Sequence, residues 1–418
     1  MKEIYIINER SNAAVYGIGT FLREYTECLR STDIKINVIE LNSAQNEFQI
    51  KEEYEVKTYV FPYQTGSTLN RYYSSFMRIC RLYIKDSDNL IFHLNYAHSE
   101  ALIDLLRKFY PLSNILYTIH YQNWTWELNG DVEKYSNIIK KMNTKSIQGK
   151  YPKIIEAYKK EKSIYDKVDR LICLSGDTFQ LLKNIYHQDE SRIALIPNGI
   201  KHFGPQHITN AKKLKIKTSL FIEEHTKILL YVGRLDKLKG INSLISGFEK
   251  VVSSYPDTRL VIIGAAGDFS QSLKLTKKAA SKITFTGVLS QKKLKQWYQT
   301  ADIGIIPSYA EQCCYVGLEM MMYGLPIVAS GGFGIRNMFE DGLNGKIAKI
   351  GSRRNSKEFE MNLVNAILEL LASDRFCKKL SYNARKTYKD SYSLENMKIE
   401  YKKVFDTLNE GNINKQSK

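Results

Sequence analysis

The stretch ADIGIIPSYAEQCCYVGLEMMMYGLPIVASGGFG, residues 301–334, reads as strand, loop, helix and strand in succession. Ile303–Ile306 and Ile327–Ala329 are short β-branched runs bounded by turn residues, and a helix beginning near Tyr315 separates them. Apolar strands of this kind, joined by a helix, predict a parallel sheet buried on both faces. The same alternation extends outward. Strands are expected at Lys227–Val232, Arg259–Ile263 and Ile283–Phe285, and in the first half at Ile4–Ile7, Ile36–Leu41, Leu90–Leu94, Ile115–Ile119, Leu171–Leu174 and Ile193–Ile196. Pro197–Glu224 is polar and carries PNG and GP turn signals, so a linker is placed near its beginning. Two doubly wound α/β domains in tandem follow. Asp131–Lys167 reads as a helical elaboration of the first, and the chain from Lys357 onward shows only helical periodicity.

The length of 418 residues and a hydrophobic fraction of 43% suit two cores rather than one. No segment approaches the ~20 apolar residues of a membrane span, and the start MKEIYIINERSN lacks a secretory pattern, so a cytoplasmic protein is expected. The six cysteines show no C-x-x-C spacing, which argues against zinc ligation or a disulfide framework. A net charge of +17 implies an acidic partner: nucleic acid, an anionic membrane or a phosphorylated small molecule. Arg71–Lys85 mixes basic and aromatic residues at helical spacing, fitting either a membrane-surface helix or a solvated face with a packed side.

Chemistry concentrates in the second half. Glu311 lies in the loop before the helix at Tyr315 and Glu319 lies one turn into it, so both carboxylates can border one pocket. Such groups accept hydrogen bonds from sugar hydroxyls, while the helix amino end offers N–H groups to a phosphate. Equally, the pair fits a capping arrangement with a surface acid. In YVGRLDKLKG, Arg234 and Lys239 flank a turn between Gly233 and Gly240, where two cations can converge on a diphosphate. Gly264, Gly267 and Gly287 mark later strand ends, where the crevice of a doubly wound sheet opens. Asp86 and Asp88 form a D-x-D in a KDSDN turn, read as solvated turn residues rather than a metal site.

VGRLDKLKG, PSYAEQCCYVGLEMM, YGLPIVASGG and DGLNG, in that order, resemble the retaining GT-B glycosyltransferases, especially the bacterial mannosyl- and glucosyltransferases and glycogen synthase. The resemblance implies two Rossmann-like domains facing across a cleft. The first, 1–200, lies on the acceptor side and receives a C-terminal helix, 393–410, and the second, 201–392, binds the nucleotide sugar. It implies that Arg234 and Lys239 neutralise the donor diphosphate, Glu319 binds ribose, Glu311 contacts the donor sugar and His120 reaches the transferred sugar. Gly17, Gly19, Gly287, Val288, Cys313, Cys314 and Tyr315 fall at further donor-binding positions, and His93 and His98 at the acceptor-side wall. For both of these histidines a cap or turn role stands equally open. No metal or cofactor is implied, the donor being a UDP- or GDP-sugar.

One departure stands out. The family places an aromatic residue and then glycine where this chain has Cys313 and Cys314, which puts a side chain beside the phosphate position. The implied activity is retaining transfer of a sugar to an acceptor glycan, lipid-linked glycan or peptide, with peripheral association at the inner membrane surface as one consequence of the basic charge. A protein acting on nucleic acid and a catalytically silent sugar-binding module are the alternatives, and the first lacks a clear basic groove.

Overall fold

The structure, a computed structural model, describes residues 1–9, 17–95, 100–204, 208–265, 269–353 and 355–408. They form two compact units. The first comprises 1–122, 136–198 and 394–418, and the second 123–135 and 199–393.

The first unit holds a sheet in the order β3-β4-β2-β1-β5-β6-β7-β8. These strands are β1 (Lys2–Glu9), β2 (Ile34–Ser43), β3 (Gln49–Glu53), β4 (Val56–Pro62), β5 (Leu90–Leu94), β6 (Asn114–Ile119), β7 (Arg170–Cys173) and β8 (Ile193–Leu195). All pair in parallel except β3 with β4. The expected strands are present, and the β3–β4 hairpin is an addition that the reading of the sequence did not contain. It turns on Tyr54 and Glu55, both at positive φ, a conformation that matches the twist of a tight hairpin. The helix Leu394–Thr407 lies with this unit: Tyr401 packs 4.6 Å from Tyr25 of the helix Gly17–Arg30, ring to ring.

The second unit holds a six-stranded sheet in the order β11-β10-β9-β12-β13-β14, parallel throughout. Its strands are β9 (Lys227–Val232), β10 (Thr258–Ile263), β11 (Ile283–Gly287), β12 (Ile303–Ile306), β13 (Ile327–Ser330) and β14 (Lys346–Ala348). Leu229, Phe248, Leu260, Ile305, Phe359 and Ile367 meet in its core. Crossing from β12 through the helix Tyr315–Tyr323 to β13 gives the β-α-β unit expected for residues 301–334.

One assignment is corrected. Residues 123–135 were expected within the first domain and belong instead to the second unit. Trp124 explains this: its ring is buried, stacks on Tyr135 at 4.6 Å and meets Phe333 edge-on at 5.0 Å. Burying the apolar surface of this ring stabilises the docked segment, offset in part by its indole N–H, which is buried without a hydrogen-bond partner among the described residues.

Candidate active site

In the second unit the loops that follow β9, β12 and β13 are fastened to one another by main-chain contacts. Tyr309 N donates to Leu238 O at 2.7 Å, Phe333 N to Tyr309 O at 3.2 Å, and Glu311 N to Phe333 O at 3.0 Å. Gly240 adopts φ +64°, and a Cβ there would stand 2.0 Å from Pro307 O. Only glycine permits that approach. The loop after β9 is shaped by Asp236, which caps the turn Lys237–Lys239 by accepting from Lys239 N and holds Arg234 Nη2 at 3.1 Å.

This fastening brings Lys239 and Glu311 into an ion pair, with Ser308 Oγ donating to the same carboxylate oxygen at 3.0 Å. Burial draws the Lys239 ammonium down, but Glu311, Cys314 and Asp236 outweigh it and hold its pKa above the usual lysine value. The cation is therefore fixed in place and fully charged at neutral pH. Arg234, half exposed, lies beside Asp236 at the rim of the same loop.

Cys314 caps the helix Tyr315–Tyr323, and its own amide points at Met338 Sδ, 3.3 Å away. Burial and then Glu311 push its thiol up to about 12, against the pull of Lys239 and of the amides of Gly317 and Val316. A thiol so high is not a nucleophile at neutral pH. Cys313 is buried beside it and Tyr315 opens the helix. One turn on, Glu319 accepts a 2.5 Å hydrogen bond from Tyr298, whose ring stacks on Tyr323 at 5.3 Å. Gly287, in the left-handed region, and Val288, 73% exposed, lie at the end of β11. Gly287 O accepts from Gly264 N at 3.0 Å.

In the first unit Gly17 and Gly19 open the helix Gly17–Arg30, and a Cβ on Gly17 would meet nothing within 4 Å. His120 follows β6 and is half-buried, with Phe21 edge-on at 4.5 Å. Its Nε2 lies 3.2 Å from Asn95 Oδ1; in the tautomer that donates to this oxygen, Nδ1 keeps the lone pair. Burial lowers its pKa to about 3, so the ring is neutral at pH 7. His93 is corrected: it lines no acceptor wall. The ring is wholly buried on β5, with Nδ1 2.7 Å from Tyr25 Oη and Nε2 2.7 Å from Thr118 Oγ1. His98 and Gly267 lie outside the described residues. Asp86 and Asp88 are turn residues, Asp86 accepting from Leu112 N at 3.1 Å and Asp88 from its neighbour Asn89.

Burial and then the proximity of His120 lower the His93 pKa to about 3. Unfolded histidine titrates near 6.5, so between about pH 6.5 and 3 the unfolded chain binds protons that the folded chain refuses. This contribution to stability is complete above pH 6.5 and shrinks as pH falls. Urea denaturation at pH 7 and pH 5 is expected to show a drop in the wild type and a smaller one in His93→Gln. Equal drops would rule the mechanism out.

Ser308, Tyr298, Met338 and Asn95 were not singled out from the sequence. Asn95 lies two residues past His93 in FHLNYAH, so its place at the end of β5 was the signal available.

Two family models match the chain: "Glycosyltransferase Family 4" over residues 15–202 and "Glycosyl transferases group 1" over 212–387. Together the two models cover most of the chain and support its placement among the GT-B glycosyltransferases of group 1. Solved structures share its fold. Sucrose-phosphate synthase from Thermosynechococcus elongatus superposes with a TM-score of 0.73 at 19% identity, covering 98% of this chain and 99% of that one. Anabaena HepE in complex with UDP and glucose gives 0.69 at 13% identity, over 97% and 100%. By sequence, a D-inositol 3-phosphate glycosyltransferase of Catenulispora acidiphila is 25% identical over 60% of each chain. An uncharacterized glycosyltransferase of Methanocaldococcus jannaschii is 28% identical over 42% of this chain and 46% of its own. The matched region thus spans about half of each curated relative.

Proposed function

We propose that the protein transfers a sugar from a nucleoside diphosphate donor to an acceptor hydroxyl, with retention of configuration. One observation carries this reading: three fastened loops hold Lys239, Glu311 and a helix amino end together in the second unit. Arg234 and Lys239 neutralise the diphosphate, the helix end adds roughly half a positive charge, and Glu319 takes the ribose hydroxyls. Glu311 contacts the sugar. His120, neutral with a lone pair on Nδ1, accepts a hydrogen bond from a sugar hydroxyl near the reacting carbon. The donor's C1–O bond breaks, the leaving phosphate oxygen takes the acceptor proton, and the acceptor oxygen bonds to C1 on the same face. The protein positions reactants and stabilises the charge developing on the phosphate. Arg234 and Lys239 carry the charge of the diphosphate in this reading.

UDP and glucose in HepE support a uridine donor, with GDP-sugars as the other choice. For the acceptor, the helix Leu69–Tyr83 exposes Arg71, Arg78 and Arg81 beside Leu82, which is 77% exposed, features that suit an anionic lipid-linked glycan at the cytoplasmic membrane surface. Among the described residues no helix is long and apolar enough to cross a membrane.

Incubation with labelled UDP- and GDP-sugars tests the activity. One donor is expected to turn over, and His120→Ala is expected to lower kcat at least about tenfold, or roughly 1.4 kcal/mol of barrier, with donor affinity unchanged. Donors that bind without ever being consumed would make the protein a silent binding module.

A further inference from the structure

The segment 123–135 does more than fill space on the second unit. Gly130 is left-handed, and a Cβ there would stand 2.5 Å from Tyr309 O and 2.8 Å from Ala310 Cβ. Arg353 donates to Asn129 O at 2.8 Å while its guanidinium lies 5.5 Å from the centre of the Tyr309 ring. Trp124, 1% exposed, presses its edge on Phe333. The segment therefore grips both Tyr309–Ala310 and Phe333.

Those are the residues that fix Glu311. Its amide bonds to Phe333 O, and its carbonyl oxygen lies 1.8 Å from where a Cβ on Gly334 would stand, so the backbone of Glu311 is enclosed by the Tyr309 and Phe333 loops. A displacement of Phe333 moves the Glu311 main chain with it, because the hydrogen bond and the close glycine contact leave no slack. The carboxylate, already tied to Lys239 and Ser308, would then lose its alignment.

We infer that Trp124 is a positioning residue: docked against Phe333, it holds the loop that presents Glu311 to the donor sugar. The inference rests on the proposed sugar-contacting role of Glu311, but its first consequence is independent of activity. Buried aromatic pairs at this distance contribute beyond the area they bury, so losing one loosens what it braces.

Hydrogen exchange on the full chain reads this directly. In Trp124→Leu and in Gly130→Ala, the amides of residues 308–315 and 331–336 are expected to exchange at least about tenfold faster, while β10 keeps its wild-type protection. Two variants are used so that a folding defect in one leaves the other informative. Unchanged exchange at 308–315, or acceleration spread evenly into β10, would overturn the proposal. Once a donor is found, both variants are expected to lower kcat with UDP affinity intact, and to add nothing in a Glu311→Gln background. Additive losses in that background would equally overturn it. Absence of turnover in the wild type would instead count against the proposed activity, and the exchange result would stand separately.

Discussion

Lys239→Ala is expected to lower kcat/KM by at least about tenfold, equivalent to about 1.4 kcal/mol of barrier, and to destabilise the second unit as well. The two losses have different origins. Charge on the leaving diphosphate grows during transfer, so a fixed ammonium beside it matters more in the transition state than in the ground state. In the absence of donor the same ammonium neutralises Glu311, whose side chain is only 16% exposed. Removing one partner of a largely buried pair leaves an uncompensated charge, at a cost of about 3 kcal/mol where burial is nearly complete. Arg234→Ala should separate the two effects in part, because its side chain is 48% exposed while its partner Asp236, 18% exposed, is left without this ion pair. The expected result is a comparable loss in kcat/KM with a smaller fall in melting temperature than in Lys239→Ala. Both are measured on one preparation by steady-state kinetics and calorimetry. A chelator should leave the wild type active. Loss of activity on chelation, restored by Mn²⁺ or Mg²⁺, would mean that a metal carries this charge and that the two cations have been misassigned.

Much of this site was legible in the sequence because its parts are local. Glycines at strand ends, cations spaced around a turn and carboxylates before and within one helix are patterns that a parallel sheet brings to one edge whatever the rest of the chain does. The strands were legible for the same reason: runs such as ILLYV and LVIIG are buried on both faces and carry no competing helical period. What escaped was set by tertiary contact. The strand Gln49–Glu53 exposes four of its five residues at the edge of the sheet, so no apolar alternation marks it, and its turn at Tyr54–Glu55 lacks glycine or asparagine. At a strand end His93 fits an acceptor wall by resemblance or equally a cap or turn, yet it sits inside LIFHL, where every residue is buried; that unbroken run was the available warning. Residues 123–135 have no feature that says which unit their apolar side will find. Contacts with residues far along the chain decide it: Trp124 with Phe333, Asn129 with Arg353 and Gly130 with Tyr309.

Gly334→Ala is expected to be a severely damaging methyl group for the site, and comparison with Gly342→Ala shows why. Both glycines have positive φ, +74° and +72°, so each alanine adds conformational strain of at least about 1–2 kcal/mol. Their surroundings differ completely. At Gly342 the new Cβ meets nothing within 4 Å, whereas at Gly334 it would stand 1.8 Å from Glu311 O and 3.1 Å from Gln312 O. Neither oxygen is the end of a flexible side chain, and the Glu311 amide is simultaneously tied to Phe333 O, so the loop must open or the helix Tyr315–Tyr323 must shift. Overpacking of this kind costs about 1–3 kcal/mol beyond the strain. A domain of this size loses about 2–4 °C of melting temperature per kcal/mol, so Gly342→Ala should fall by only a few degrees and Gly334→Ala by roughly 5–15 °C. Activity should divide the two more sharply, since Glu311 is displaced in one and untouched in the other. A near wild-type kcat for Gly342→Ala beside a loss of at least about a hundredfold for Gly334→Ala is the expected pattern. Equal losses in the two variants would show that backbone strain, rather than the contact with Glu311, sets the requirement for glycine.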